Sequence, residues 1–381
     1  YQASAKKEGA SLSPSLDGSG NAKEKWSYED DSSSTANSFS LGLAASYEVD
    51  LWGRLRFAEE AALLDVKASE ADLQTAAITV AAEIADVWYQ IAETKQQIIL
   101  SEKQRDLNTR ILEIISTQFK SGNAGFADVL QQKELVESSN GDLISQKVAL
   151  KILEQQLAVL LGVLPTTKGI PTPEELADVP ALPEIGIPAD LLNNRPDIRS
   201  SFYNLLAADQ EVAEAIANRF PKLSISADLS TEGITASDLF SDWFASIAAN
   251  LVGPIIDGGY LKAEVERTEA VASQEFHEYG QVVLDALKEV ESAILYENEQ
   301  KELLKNLHVR LELAALTIER VGDQYRQGVV DYQRVLTALL SHQDLQQTIL
   351  KTERKVLSYR IQLYRALGGN IELPETIEQS N

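Results

Sequence analysis

Shifted by 206 positions, the sequence falls on itself. Phe119-Lys-Ser-Gly122 meets Tyr325-Arg-Gln-Gly328, Phe126 meets Tyr332, and Val129-Leu130 meets Val335-Leu336. The same offset brings Leu157 onto Leu363, Leu161-Gly162 onto Leu367-Gly368 and, upstream, Ser40-Leu41 onto Ser246-Ile247 and Gly53 onto Gly259. One register held over most of the chain marks a tandem duplication, so the fold has to be two copies of one unit.

Each unit opens with two segments in which apolar and polar residues alternate. Over 39–51 the odd positions are Phe39, Leu41, Leu43, Ala45, Tyr47, Val49 and Leu51, and the even ones are small or polar. Residues 12–26 alternate more weakly, with Ser15, Asp17, Ser19, Asn21 and Lys23 on one face, and 221–229 and 245–255 repeat the pattern in the second unit. A period of two puts one set of side chains on each face of a strand. Four strands are therefore expected, paired through polar loops over 27–38 and 231–242.

Long helical stretches follow each hairpin. Residues 54–119 and 260–327 contain no proline, and at 1.5 Å per residue a helix of ~65 residues is a rod of roughly 100 Å. A Gly-containing break comes after each rod, at 121–125 and 327–331. A second helix then runs back over 126–161 and 332–367, ending at Gly162 and Gly368 as helix C-termini do. Asn194-Arg195-Pro196-Asp197 starts a further helix, with proline in the first turn and an acid near the positive end of the dipole. The expected organisation is the tail of an N-terminal helix (1–10), whose leading part is expected to precede Tyr1, a first hairpin (11–51) and a first helical repeat (52–162). A Pro-rich connector (163–193), a helix (194–219), a second hairpin (220–257), a second helical repeat (258–368) and a C-terminal tail (369–381) follow. Gly53, Gly258 and Gly259 stand at the strand-to-helix joints.

Composition removes several functions. A net charge of −24 argues against nucleic acid, because neutralising phosphates takes surplus Lys and Arg, and against a polybasic grip on anionic lipid. The absence of cysteine excludes disulfides, thiolate catalysis and Cys-based metal sites. His277, His308 and His342 are isolated on helices, and the His308/Glu312 pair reads as a solvated helix face. Without a phosphate loop or a paired acid–base constellation, the chain is expected not to be an enzyme and to need no cofactor or metal.

No uncharged apolar run is long enough for a transmembrane helix, but the strands have the length a tilted barrel strand needs. Aromatic residues cluster where strands end. Trp26, Tyr28, Phe39, Phe240, Trp243 and Phe244 lie beside the polar loops, and Tyr47, Trp52, Phe220 and Tyr260 lie at the opposite ends. Such girdles mark the two bilayer interfaces. Open sheet edges do not persist in lipid, and four strands are too few to close. Several chains must then contribute strands: two give a filled eight-stranded barrel, three give twelve strands with an open lumen.

Two strings, Tyr47-Glu-Val-Asp-Leu-Trp-Gly-Arg54 and Leu191-Leu-Asn-Asn-Arg-Pro-Asp-Ile198, resemble signatures of the TolC/OprM outer-membrane factors, closest to the OprM-like lipoprotein branch. Phe220-Pro221, Pro254-Ile-Ile-Asp-Gly-Gly259 and Tyr325-Arg-Gln-Gly328 are similar in the same order, so the resemblance spans essentially the whole chain. It implies an α+β membrane protein: a homotrimer with a twelve-stranded barrel in the bacterial outer membrane, four strands per chain, continued by a coiled-coil α-helical tunnel in the periplasm. It implies a periplasmic adaptor and an inner-membrane transporter as partners, and drug or toxic-compound efflux as the function. Protein secretion or metal-cation efflux through the same fold, and a soluble structural coiled coil, are the alternatives. Many members carry an acid just after the Val-Leu pair at the tunnel tip, where this chain has Gln131 and Thr337. The candidate gate therefore lies at the helix breaks, in Asp128, Arg326, Asp331, Tyr332, Arg334 and Thr337, where charged pairs repeated by three-fold symmetry would hold the duct shut. Trp26, Tyr47, Trp52 and Trp243 are the candidate girdle.

Overall fold

The structure, a computed structural model, describes residues 1–29, 32–167, 169–180 and 194–369. Its elements in chain order are α1 (Gln2–Ala10), β1 (Ser15–Glu29), β2 (Ser32–Val49), α2 (Arg54–Lys120), α3 (Phe126–Leu160), α4 (Pro196–Ala217), β3 (Lys222–Gly233), a 3-10 turn (Asp238–Phe240), β4 (Phe244–Val252), α5 (Tyr260–Arg326) and α6 (Tyr332–Ala366). The duplication is visible in the element ends. Arg54 to Tyr260 and Lys120 to Arg326 are each 206 apart, as are Phe126 to Tyr332 and Leu160 to Ala366. The chain divides into two compact units, Tyr1–Leu73 with Pro196–Val283, and Gln74–Arg195 with Leu284–Asn381.

The first unit holds one antiparallel sheet in the order β1-β2-β3-β4. Its register sorts side chains cleanly. Leu43 lies opposite Gly18 and Leu229, Ala45 opposite Leu16 and Ala227, and Ile247 opposite Ala227, so one face is apolar. Ser46 lies opposite Ser15 and Ser226, and Asp228 opposite Ala44 and Ser246, so the other is polar. Polar neighbours bond across strands there, Ser15 to Ser46 at 3.1 Å and Ser38 to Glu232 at 3.2 Å. In the same unit, the first turns of α2 and the length of α4 bury several alanines, among them Ala61, Ala68, Ala207 and Ala208, small side chains that let helices approach closely.

The strands depart from expectation at their ends. The loop expected over 27–38 is strand: Trp26 pairs with Thr35 and Glu29 with Ser32, leaving only residues 30–31 outside the description. Serine-rich polarity was the signal for a loop, but ladder pairing satisfies the backbone whatever the side chains are. Trp26 consequently sits inside β1. The second expected loop is shortened too, because β3 runs to Gly233 and the 3-10 turn folds back so that buried Thr231 donates to the Leu239 carbonyl. Strand β4 stops at Val252 instead of 255, where Gly253-Pro254 follows and proline has no N–H for the ladder. Residues 181–193, with the first three residues of the Leu191-to-Ile198 string, and 370–381 of the expected tail lie outside the described residues.

In the second unit, α2, α3, α5 and α6 pack through separate apolar clusters. One joins Val87, Ile91 and Leu157, with Ile170 of the connector against it, and another joins Val290, Ala293, Leu363 and Ala366. The connector is fastened at several points: Trp88 Nε1 donates to the Pro171 carbonyl at 3.2 Å, Lys95 to Thr172 Oγ1 at 3.0 Å, and Arg360 to the Pro180 carbonyl. Arg360 is itself buried in a bidentate pair with buried Glu297, at 2.8 and 2.6 Å.

Candidate functional site

The joints between strand and helix are built from the expected glycines and from carboxylates beside them. Gly53, Gly258 and Gly259 have φ of 79°, 65° and 88°, a left-handed turn that glycine adopts without strain. Asp50 accepts from the Leu55 and Arg56 N–H groups, both at 3.2 Å, and Asp257 from those of Gly259 and Leu261, both at 2.9 Å. These bonds satisfy free N–H donors at the helix starts and place negative charge at the positive end of each dipole. They also hold the Asp257 carboxyl below its ordinary range. Arg54 grips Glu48 bidentately at 2.9–3.1 Å, and Trp52 stacks on Phe220 at 4.8 Å while its Nε1 donates to the Pro221 carbonyl at 2.8 Å. The Tyr47-to-Arg54 string is thus a joint that ties β2 to the start of β3. Trp26 and Trp243 are exposed, and Tyr47 lies opposite Ile225 on the apolar face.

The two helix breaks come together around one apolar cluster, in which Ile115, Leu135, Tyr332, Leu336 and Leu339 are buried and Val129, Tyr325 and Val335 pack on them. Of the expected gate residues, Tyr332 lies at its centre. Its ring meets that of Tyr325 edge-on at 5.7 Å, its hydroxyl donates to Gln132 Oε1, and Tyr325 donates to Gln118 Oε1 at 3.1 Å. Burial pushes the Tyr332 hydroxyl far above the ordinary tyrosine range, so it stays a neutral donor. The charged residues do local work within the chain. Asp128 accepts the Gly125 N–H at 2.9 Å, Asp331 caps α6 by accepting the Arg334 N–H at 3.2 Å, and Arg326 pairs with Asp323 one turn back. Thr337 donates to the Gln333 carbonyl at 2.9 Å and is exposed, as is Arg334. Among the described residues no ion pair joins the two breaks.

Sequence reasoning missed a row of buried amides leading away from this cluster. Gln97, Ser101, Gln104 and Asn108 on α2 are all buried, at the 4-3-4 spacing that continues to Ile111 and Ile115. Gln104 donates to the Gln343 carbonyl at 3.2 Å and to Gln346 Oε1 at 3.0 Å, and accepts from Gln347 at 3.1 Å. Gln343 donates to Asn108 Oδ1 at 3.0 Å, and Gln97 to the Gln347 carbonyl at 2.9 Å. Gln132, the acceptor for Tyr332, donates to the Asn108 carbonyl at 2.7 Å. The signal was available: polar residues occupying a helical core row at coiled-coil spacing.

The sequence matches the family described as outer membrane efflux protein over residues 1–163 and 187–369. It is 32% identical over 387 aligned positions to the pyoverdine export outer membrane protein OpmQ of Pseudomonas aeruginosa, covering 97% of this chain and 80% of that one. It is 26% identical to the cation efflux system protein CusC of Escherichia coli, covering 93% and 78%. A crystal structure of CusC superposes with a TM-score of 0.88 at 25% identity, covering 97% of this chain and 86% of the other. That of the outer membrane protein VceC of Vibrio cholerae gives 0.89 at 22%, covering 97% and 90%. The fold class expected from the sequence is the one this family has, a trimeric channel with a barrel and a helical tunnel. Its members are passive outer-membrane ducts, so the reading of the chain as a channel instead of an enzyme stands. By match, by identity and by fold, the chain belongs to the outer membrane efflux protein family.

Proposed function

We propose that the chain is the exit duct of a tripartite pump for small toxic organic compounds, docking as a trimer to a periplasmic adaptor and an inner-membrane transporter. The observation that supports it most is the sheet, with one apolar and one polar face and with β1 and β4 as its edges. A sheet of this kind in lipid must close through further copies. Since β1 and β4 run antiparallel, β4 of one chain beside β1 of the next continues the alternation around a ring of twelve. A polar lumen of that width passes cargo without a binding pocket, so cargo follows the pump. Relatives named for pyoverdine and for toluene export favour small organic molecules. Cation efflux, the function in the name of CusC, favours metal-cation export as the second reading. Expression in a strain lacking its own outer-membrane duct, with and without candidate adaptor–transporter pairs, tests the proposal. Restored resistance to drugs or bile salts with one pair supports it, and restored tolerance of transition-metal cations alone would replace it with the second reading.

A further inference from the structure

The core row of α2 changes character along its length. It is apolar at Val87 and Ile91, polar at Gln97, Ser101, Gln104 and Asn108, and apolar again at Ile111 and Ile115. Apolar residues at such positions lock two helices in one register by fitting knobs into holes, and a buried polar residue lowers stability in return for something else. A single buried amide specifies register. A continuous row of them does the reverse, because each carries both donors and acceptors and finds a chemically equivalent partner one turn along. Gln104 already spreads its bonds over three residues within one turn of α6: Gln343, Gln346 and Gln347. Spare capacity is built in, since the buried Oε1 atoms of Gln97 and, on neighbouring α3, Gln146 have no hydrogen-bond partner among the described residues. The row ends on Gln132, which holds the Tyr332 hydroxyl at the tip.

We propose that this amide row is a register-tolerant seam, along which α2 and α6 exchange hydrogen-bond partners, and that it sets how readily the tip around Tyr332 rearranges. The inference rests on reading the chain as a gated duct. The seam lets one stretch of α2 and α6 shift while the tip cluster, to which both helices contribute, and the cluster of Val87, Ile91 and Leu157 that joins α2 to α3 stay packed, at a cost far below that of unpacking a leucine row.

The test is the double substitution Gln104→Met with Gln347→Met, which keeps side-chain length and removes the hydrogen bond between the two. Met there should raise the temperature at which the purified trimer dissociates. It should slow backbone hydrogen exchange in α6 around Gln343 and Gln347, and lower the frequency of openings in planar bilayers, by about tenfold or more. Gly141→Ala is the control, a helical site where an added Cβ meets nothing within 4 Å, which should leave exchange and opening as in the wild type. If the double variant does not assemble, Gln347→Met alone, at a half-buried position, carries the same comparison. Unchanged exchange in α6, or equal slowing by Gly141→Ala, overturns the seam. Slowed exchange with undiminished opening keeps the seam and overturns its link to the gate, whereas a wild-type channel that shows no closed state at all overturns the gated-duct reading on which the inference rests.

Discussion

Placing an arginine at position 43 is the sharpest test of how the sheet meets lipid. Leu43 lies on the apolar face between Gly18 and Leu229, with Gly18 offering no side chain to shield it. It is four residues from Phe39 and four from Tyr47. At ~3.4 Å per residue and a tilt of ~40°, those two aromatics are about 20 Å apart in height, and taken as marks of the two interfaces they put Leu43 near the midplane. Arginine facing lipid there costs about 2–4 kcal/mol per chain, or roughly 6–12 kcal/mol for a trimer. Each chain alone then loses about 30- to 900-fold in assembly equilibrium. Ser46, three residues on, is on the opposite face, and arginine there forfeits one exposed hydrogen bond to Ser15, about 1 kcal/mol or less. Leu43→Arg should therefore leave little heat-dissociable trimer in the outer-membrane fraction on a detergent gel, while Ser46→Arg assembles near wild-type levels. Equal assembly of the two variants, or a worse defect in Ser46→Arg, would refute the assignment of faces.

Arg360→Met should lower the dissociation temperature sharply, because among the described residues it leaves buried Glu297 with Lys301 as its remaining cation, a loss of about 3–5 kcal/mol; adding Glu297→Met should recover most of it, and a double variant no better than the single would refute the pairing. Burial alone would raise the Glu297 carboxyl, but hydrogen bonds from Arg360 and Lys301 outweigh it and hold it below its ordinary value. Its contribution is thus fully present above the unfolded-state pKa of about 4.3 and is lost as pH falls through the lower folded value. Melting of the wild type should fall with acid in that window and that of Glu297→Gln should fall less. At the tip, Asp331→Asn with Arg334→Gln should raise single-channel conductance if charge pairs between copies hold it closed, and high salt should partly mimic it. Tyr332→Phe, which leaves Gln132 without its donor at about 1–3 kcal/mol, should raise conductance whatever the charges do; a double charge variant conducting like wild type beside an open Tyr332→Phe would assign closure to the buried cluster.

Local physics explains what could be read before any tertiary contact was known. Helix and strand are written in short-range periodicity, so the proline-free rods, the glycines at their breaks and joints, and the odd–even faces of β2 were legible residue by residue. The duplication needed only a comparison of the chain with itself, and the two pairs of long helices keep its offset of 206 at both ends. Where the sequence misled, it did so because a side chain reports polarity and not pairing: serine-rich 32–38 read as a loop until β1 supplied a ladder for it. The proposed gate charges are a separate matter: within the chain Asp128 and Asp331 each accept a backbone N–H at a helix start, and their pairing between copies is what the Asp331/Arg334 variant tests. The amide row joins residues 200 or more positions apart, Gln104 to Gln343 and Tyr332 to Gln132. No local pattern says which of many glutamines will be buried against which, because that follows only when α2, α3 and α6 pack and exclude water from their seam.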